Sequence, residues 1–253
     1  MNLKINKEKN IGQVIYIFEG EEIESKLFNH IFGTFLDYSV ISLDKANNEF
    51  LYTSKTNKYS KVFLIPSKRS QAVSIEDDKQ YFDELYKMLA IKHGLDVENC
   101  AVYYIYDRDR NNNGFKDLNR IVSKYENSRD NNNEMNGLVL LSYPSVEAYL
   151  MTAYNDLERI GNAQFAKMHC AAEGYYCIDN LEDEHIKNCV ANMLNTIENI
   201  INNTFDINEI EHFSNINTKI LEYEEALYRD DTTYYILSLI SISLIDLGII
   251  QFE

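Results

Sequence analysis

The sequence of 253 residues lacks the features that identify several common classes of protein. Its four cysteines form no C-x-x-C pair and its five histidines are scattered, so no zinc-binding pattern is present. It contains no run of about 18 apolar residues, so it predicts no membrane-spanning helix. It has no G-x-x-x-x-G-K-[ST] motif and therefore no P-loop for ATP. The chain does not open with a basic segment followed by an apolar stretch, and we expect a cytoplasmic protein that does not act at a membrane.

Positive charge is also scarce. The chain has 24 Lys and Arg against 40 Asp and Glu, which gives a formal net charge of -16. This excludes a uniformly basic coat protein for nucleic acid, but not an enzyme whose bound metal ions neutralise its own carboxylates. Residues 179–253 hold 3 basic and 15 acidic side chains, so most of the excess lies there. Such a segment is suited to contact a basic protein surface.

Basic side chains cluster in two stretches. The first contains no acidic residue between Phe50 and Ile75 and carries Lys55, Lys58, Lys61, Lys68 and Arg69. The second follows an Asp-Arg-Asp motif and carries Arg108, Arg110, Lys116, Arg120 and Lys124. A solvated face explains either cluster taken alone. Because two of them flank acidic motifs, we interpret the first as a strip that binds the phosphate backbone of nucleic acid.

Apolar runs alternate with helical periodicity over most of the chain. The runs predict strands at Val14–Phe18, Tyr38–Leu43, Lys61–Pro66, Ala101–Tyr106 and Gly137–Ser142. Periodic segments predict helices after Gly20 and over Tyr81–His93, Phe115–Tyr125 and Val146–Tyr154. This order is typical of an α/β fold with a mostly parallel sheet flanked by helices. From about Leu181 the pattern is helical only, so we expect an α/β domain at 1–178 and an acidic helical segment at 179–253.

Three acidic motifs follow predicted strands. Glu19 comes directly after the first strand, Asp107 and Asp109 come after the run AVYYIY, and Glu147 follows the run GLVLLS. In open parallel sheets the ligand crevice lies beyond the carboxyl ends of the strands, so these side chains should converge. Converging carboxylates repel one another, and a divalent cation such as Mg²⁺ is the usual compensation. A cation held in this way can activate water for cleavage of a phosphodiester bond.

The order of these motifs resembles the TOPRIM domain, which topoisomerases, primases and OLD-type (overcoming lysogenisation defect) nucleases share. The resemblance covers about residues 12–155. It is closest to the short RloB-like phage-defence proteins with a TOPRIM domain. Their first motif, E-G-E-x-x-E, is similar to Glu19–Glu24, and their last, Pro followed by two residues and Glu, is similar to Pro144–Glu147.

The resemblance implies a nuclease that uses Mg²⁺ or Mn²⁺ to cleave DNA or RNA, tRNA included, in antiphage defence. It implies that Glu19 is a metal ligand or acid–base carboxylate and that Asp107 and Asp109 are metal ligands. It gives Glu24 and Glu147 supporting positions at the metal. OLD-type proteins also carry an ABC-type ATPase. Because this chain has no P-loop, we expect any such ATPase to be a separate partner protein. Self-association into a homo-oligomer is a further expectation for this chain.

Three other interpretations compete with the nuclease. The stretch from Asp109 to Gly114 reproduces the first half of a calcium-binding loop, but Arg120 stands where that loop needs a bidentate Glu. Haloacid dehalogenase-like phosphatases also place D-x-D after a strand, normally the first one, with Thr or Val where this chain has Asn111. The third alternative is a catalytically inactive TOPRIM-like module that docks on a partner ATPase.

Overall fold

The computed structural model describes residues 2–20, 22–44, 48–67, 71–77, 79–111, 113–129, 136–202 and 213–252. Within these ranges the chain forms eleven strands: β1 (Leu3–Ile5), β2 (Gln13–Phe18), β3 (Ser39–Asp44), β4 (Glu49–Thr53), β5 (Lys61–Pro66), β6 (Ala101–Asp107), β7 (Leu138–Tyr143), β8 (Arg159–Ile160), β9 (Tyr234–Tyr235), β10 (Leu237–Ser238) and β11 (Ile250–Phe252). The same ranges contain nine α-helices: α1 (Ile23–Asn29), α2 (Ser74–Asp77), α3 (Lys79–His93), α4 (Phe115–Lys124), α5 (Glu147–Ala153), α6 (Ala163–Glu173), α7 (Asp183–Ile201), α8 (Phe213–Asp231) and α9 (Ile240–Asp246). Helix α1 continues as a π-helical segment (His30–Phe35), and a 3-10 helix (Ile178–Asn180) precedes α7.

Seven of the described strands form one mixed sheet, in the order β10-β7-β6-β2-β5-β4-β3. Its four central strands, β7, β6, β2 and β5, are parallel, and the strands on either side of them are antiparallel. The central strands are continuous apolar runs because protein covers both of their faces; every residue of Val14–Phe18 and Ala101–Tyr106 is buried. The predicted α/β class with a central sheet flanked by helices is confirmed.

The stretch between the second and third predicted strands contains strand β4. It pairs antiparallel with both β3 and β5, so this part of the chain widens the sheet by two antiparallel strands, β4 and β3. Strand β3 forms the edge of the sheet, and Val40 and Ile41 on it are exposed.

The sequence pattern predicts a C-terminal segment that is only helical, but the structure also contains short strands there. Strand β10 pairs antiparallel with β7 and completes the main sheet, and β11 pairs with β1 near the N-terminus. These strands have two or three residues each, too few to show a period of two in the sequence.

Both sides of residue 178 contribute to one core. The hydroxyl of Tyr16 in β2 donates a hydrogen bond to the hydroxyl of Ser243 in α9 (2.9 Å), and helices α5 and α4 pack against α7 and α8. The division of the chain at residue 178 stays a prediction about its organisation. No helix in the described part of the chain is both long and apolar enough to cross a membrane.

Candidate active site

The predicted carboxylates follow three adjacent parallel strands of the sheet. Asp107 is the last residue of β6, Glu19 follows β2 on one side of it, and Glu147 begins the helix after β7 on the other. Glu24, in the first turn of α1, joins them. These four side chains line one cleft of about 600 Å³ at the carboxyl edge of the sheet, and they are called the acidic cluster below.

Hydrogen bonds from the backbone orient two members of the acidic cluster. The N–H of Asp107 donates to Glu19 Oε2 (3.1 Å), and the N–H of Val146 donates to Asp107 Oδ1 (2.8 Å). Glu19 therefore reaches the last residue of the neighbouring strand β6, and Asp107 reaches the chain that follows the neighbouring strand β7. The sheet register, which places Phe18 beside Ile105 and Asp107 beside Ser142, brings these strand ends to one level.

Glu24 is held by the Glu-Gly turn that precedes its helix. Its side chain is buried, and its Oε1 accepts a hydrogen bond from the backbone N–H of Gly20 (3.1 Å). A β-carbon built on Gly20 would overlap the Glu24 carboxylate. The Gly of the first motif therefore leaves the space that the last Glu of the same motif occupies.

Glu147 is the most deeply buried member of the acidic cluster, with 1% of its surface exposed. Its Oε2 accepts a hydrogen bond from the Ser145 hydroxyl (2.7 Å), and its Oε1 accepts one from the Tyr176 hydroxyl (2.9 Å). Both partners are hydroxyl groups, and together they fix the position of the two carboxylate oxygens.

The acidic cluster pays an electrostatic cost for its position. Burial raises the pKa of Glu19 to about 7; the hydrogen bond from Asp107 opposes this shift, and the charge of Glu24 adds to it. Burial also raises the pKa of Asp107 well above its usual range, and the charges of Glu24 and Glu19 raise it further. The pKa of Glu24 is raised as well, by burial and then by the charge of Glu147. Three of the four acids thus bind protons more readily than in water.

One cation offsets this charge. Lys26 and Lys167 are the lysines that line the described part of the cleft, and Lys26 already pairs with Glu22 (2.9 Å). Lys167, in α6, forms no ion pair within the described residues, and its charge lowers the pKa values of Glu19, Glu24 and Asp107. In the described part of the cleft, the four carboxylates of the acidic cluster therefore face one ammonium group that forms no ion pair.

Asp109 is placed differently from the other predicted carboxylates. It lines a second cavity beside the cleft, although its charge still raises the pKa of Glu19. Its Oδ1 accepts a hydrogen bond from the N–H of Asn111 (2.9 Å), and its carbonyl accepts one from the N–H of Asn113 (2.8 Å). The chain turns directly after β6, and this turn separates the two acids of the Asp-Arg-Asp motif.

The same turn bears on the calcium-loop interpretation. The Asn113 amide is buried, its Oδ1 accepts a hydrogen bond from the N–H of Ala72 (2.8 Å), and its Nδ2 lies within hydrogen-bonding distance of the Asp107 carbonyl (3.3 Å). These contacts use the amide to join two segments of the fold. They account for Asn113 without a calcium ion.

The three described lysines of the predicted basic strip, Lys55, Lys58 and Lys61, lie away from the acidic cluster. Lys61 begins β5 and pairs in register with Gln13 at the start of β2, whereas Glu19 follows the end of β2. Six residues of a strand span about 20 Å. Lys55 pairs with Asp37 (2.6 Å), Lys58 lies over the Tyr59 ring, and Lys61 donates to the His93 carbonyl (2.6 Å). Lys68 and Arg69 lie outside the described residues.

The donor set of the acidic cluster fits a hard divalent cation, since it supplies carboxylate oxygens with little cationic compensation. Its members do not converge tightly: in the described part of the chain, no group of three or more Asp, Glu, His or Cys side chains is arranged to hold a metal ion. The chemistry of the residues therefore suits a metal, while their spacing is wider than that of a formed site.

Sequence reasoning missed Lys167 and Tyr176. Both come from α6 and the loop after it, and neither stands in a recognisable motif. Their sequence distance from Glu147 carries no signal, because only the packing of α6 beside α5 brings them to the cleft. Comparison with known proteins finds no match for this chain among family models, curated proteins or solved structures.

Proposed function

We propose that this protein is a metal-dependent nuclease with a TOPRIM-type fold that cleaves phosphodiester bonds in DNA or RNA. The observation that supports the proposal is the acidic cluster itself: four carboxylates at the carboxyl edge of three adjacent parallel strands, opposed by Lys167, which forms no ion pair with the described residues. An arrangement that raises the pKa of its own acids costs stability. Such a cost is typical of a site that serves chemistry rather than folding.

The residues of the acidic cluster take different roles in this proposal. Glu19 and Asp107 would hold Mg²⁺ or Mn²⁺, Glu24 and Glu147 would complete the shell, and Asp109 would be a ligand that reaches in from the neighbouring cavity. When bound, the cation would supply an activated water and stabilise negative charge on the phosphate. Without a bound cation the pKa of Glu19 is raised to about 7 by burial, so binding of the cation would release its proton at neutral pH. Lys167 would bind a phosphate oxygen beside the cluster.

The setting we propose is antiphage defence in the cytoplasm, with tRNA among the candidate substrates. A separate ABC-type ATPase would control the nuclease and bind the acidic surface of residues 179–253, since opposite charges steer such partners together. The absence of a P-loop in this chain and its acidic C-terminal part support this arrangement. A homo-oligomer is compatible with it.

A second candidate is a catalytically inactive module of the same fold that docks on the ATPase. The spacing of the carboxylates favours it, because the described residues contain no group of three that is arranged to hold a metal ion. The two candidates differ in Mn²⁺ binding. Calorimetry with Mn²⁺ should show saturable binding for the nuclease and none for the docking module.

The activity is tested by incubating the purified protein with plasmid DNA, single-stranded DNA, tRNA and total RNA, with Mg²⁺ or Mn²⁺ and with EDTA. We expect cleavage of at least one substrate that EDTA stops, and its loss in Glu19→Gln and Asp107→Asn. Glu224→Gln is the control, because it makes the same change at a buried carboxylate on α8, outside the cleft. Full cleavage by both cluster variants would overturn the proposal.

A further inference from the structure

A second cavity of about 390 Å³ lies beside the acidic cluster. Lys167 lines both cavities, so the two are neighbours along α6. The second cavity has a different chemistry: Arg110, Gln164, Tyr228 and Tyr234 are among the residues that line it. It is called the arginine cavity below.

Two arginines at the arginine cavity share a single acid. Arg108 Nε donates to Glu225 Oε1 (2.7 Å), and Arg110 Nη1 donates to Glu225 Oε2 (2.9 Å). Arg108 is buried, whereas the Arg110 side chain is 39% exposed and lies over the Tyr228 ring, 4.5 Å from its centroid. One carboxylate cannot neutralise two guanidinium groups. Lys167 and Asp109 also line the cavity. The three basic side chains therefore outnumber the two acids, Glu225 and Asp109, and the wall keeps a net positive charge.

Tyr234 adds an unused hydrogen-bonding group to the arginine cavity. Its side chain is 1% exposed and stacks on Tyr228, with 4.6 Å between ring centroids. Its hydroxyl has no hydrogen-bond partner among the described residues. Burial raises the pKa of Tyr234 to about 12, while the charge of Arg108 and the nearby Arg110 guanidinium lower it; Arg110 lies beside the hydroxyl without meeting hydrogen-bond geometry. A buried polar group left without a partner is costly, so a ligand oxygen is the natural partner here.

The first turn of α6 also meets the arginine cavity. Ala163 and Gln164, its first two residues, line the cavity, and the Asn162 side chain caps the N–H of Phe165 (3.0 Å). The first N–H groups of an α-helix have no partner within the helix, and the helix dipole is positive at this end. Both properties favour an anion.

We propose that the arginine cavity is a subsite for a phosphate group of the substrate that neighbours the phosphodiester at the acidic cluster. Arg110 and Lys167 supply charge, and the Tyr234 hydroxyl donates a hydrogen bond to a phosphate oxygen. The identification of that phosphate as part of a nucleic acid rests on the proposed nuclease function. The binding of an anion rests only on the cavity itself.

The test measures binding of thymidine 3′,5′-bisphosphate and adenosine 3′,5′-bisphosphate to the full chain by calorimetry in EDTA. Without metal, the acidic cluster repels phosphate, and the loss of binding in variants of the arginine cavity identifies the part of the binding that comes from it. We expect Arg110→Gln and Tyr234→Phe to weaken binding of at least one bisphosphate by about fivefold or more, as the loss of a charge-assisted hydrogen bond does. Thermal stability of Tyr234→Phe should not fall, because its hydroxyl has no partner to lose.

Tyr149→Phe is the matched control. Tyr149 is fully buried and its hydroxyl also lacks a partner among the described residues, but it does not line the arginine cavity. Its variant should bind both bisphosphates as the wild type does. If neither bisphosphate binds the wild type, or if Arg110→Gln and Tyr234→Phe bind them unchanged, the subsite does not exist. If the variants weaken binding but no metal-dependent cleavage is found, the subsite stands and the nuclease proposal fails.

Discussion

Glu19 accepts a hydrogen bond from the backbone N–H of Asp107, and the two atoms lie 3.1 Å apart. Asp107 in turn accepts one from the N–H of Val146. These bonds link the ends of three parallel strands, so the fold itself holds the carboxylates together against their mutual repulsion. The repulsion between the carboxylates destabilises the folded protein, so removing one charge should raise the melting temperature.

Asp107→Asn tests this relationship. The amide oxygen keeps the bond from Val146, while the charge that burial and Glu24 disfavour is removed. We therefore expect the variant to melt higher than the wild type in EDTA, by roughly 2–4 °C for each kcal/mol gained. Mn²⁺ should raise the melting temperature of the wild type and not that of the variant, because a ligand stabilises only the state that binds it.

Circular dichroism melts with and without Mn²⁺ measure both effects. Asp83→Asn, at an exposed carboxylate on α3, is the control and should melt and respond to Mn²⁺ as the wild type does. A variant at Asp107 that melts lower in EDTA, or that Mn²⁺ still stabilises, would show that this side chain serves folding rather than metal binding.

Gly20→Ala should weaken the metal site while changing the stability of the fold little. The new methyl group would overlap the Glu24 carboxylate, the movable end of a side chain, so the carboxylate would leave the N–H of Gly20 at little cost to folding. We expect the free energy of unfolding to change by less than about 1.5 kcal/mol, the value of one hydrogen bond. Mn²⁺ affinity, measured by calorimetry, should fall about tenfold, since one carboxylate in four is displaced.

Gly137→Ala should destabilise the fold while leaving the metal site unchanged. Its methyl group would stand 2.9 Å from the Val102 carbonyl and against the Tyr104 ring, and the backbone cannot withdraw as a side chain can. Urea unfolding should show a loss of about 1–3 kcal/mol, with Mn²⁺ affinity of the folded protein unchanged. Equal losses of stability in the two variants would argue that Gly20 and Glu24 form part of the structural core.

The sheet and its acidic edge were predictable because they depend on local signals. Buried parallel strands are continuous apolar runs, as in Val14–Phe18, and the residue after such a run must lie at the carboxyl edge. The positions of Glu19, Asp107 and Glu147 in one cleft therefore follow from three short segments. Asp109 departs from this logic because the turn after β6 is set by hydrogen bonds to Asn111 and Asn113.

The strands of the C-terminal segment and the lysine of the cleft were not predictable. Strand β10 has two residues, and its place beside β7 depends on contacts between distant parts of the chain. Lys167 stands 20 residues after Glu147, and only the docking of α6 against α5 gives it a role. Lys55 and Lys58 were recognised in the sequence as a basic cluster, but the sequence does not reveal that they lie at the edge of the sheet opposite the acidic cluster.

Lys167→Glu should reduce cleavage at least tenfold. The substitution replaces the lysine that forms no ion pair with the described residues of the cleft by a further acid, which raises the repulsion that a substrate phosphate meets. Lys87→Glu makes the same change at an exposed position on α3 and should cleave as the wild type does. Rates with a short oligonucleotide under Mg²⁺ give the comparison, and equal loss in both variants would assign the effect to net charge alone.

Lys58→Glu tests the basic strip at the opposite edge of the sheet. Because about 20 Å separates that edge from the acidic cluster, only a long substrate can reach both. We expect weaker binding and a smaller salt dependence with a long duplex, and no change with a short oligonucleotide. Unchanged binding of the long duplex would identify the strip as a solvated face.

Glu224→Gln should change how stability depends on pH. Glu224 is fully buried, its Oε2 accepts a hydrogen bond from the N–H of Tyr235, and its Oε1 has no partner among the described residues. Burial raises its pKa from 4.5 to about 8. Between these values the folded protein keeps the proton and the unfolded chain releases it, so wild-type stability falls as pH rises through this window and the loss is complete above about pH 8.

The glutamine side chain does not titrate, so the variant should become more stable relative to the wild type as pH rises through the same window. The difference in free energy of unfolding should grow by an amount on the order of 4 kcal/mol and then level off. Urea unfolding at intervals from about pH 5 to about pH 9 measures it. Glu222→Gln, at an exposed position on the same helix, should give a difference that does not vary with pH. A flat difference for Glu224→Gln as well would mean that this carboxylate is already ionised in the folded protein, stabilised by a charge such as that of Arg159.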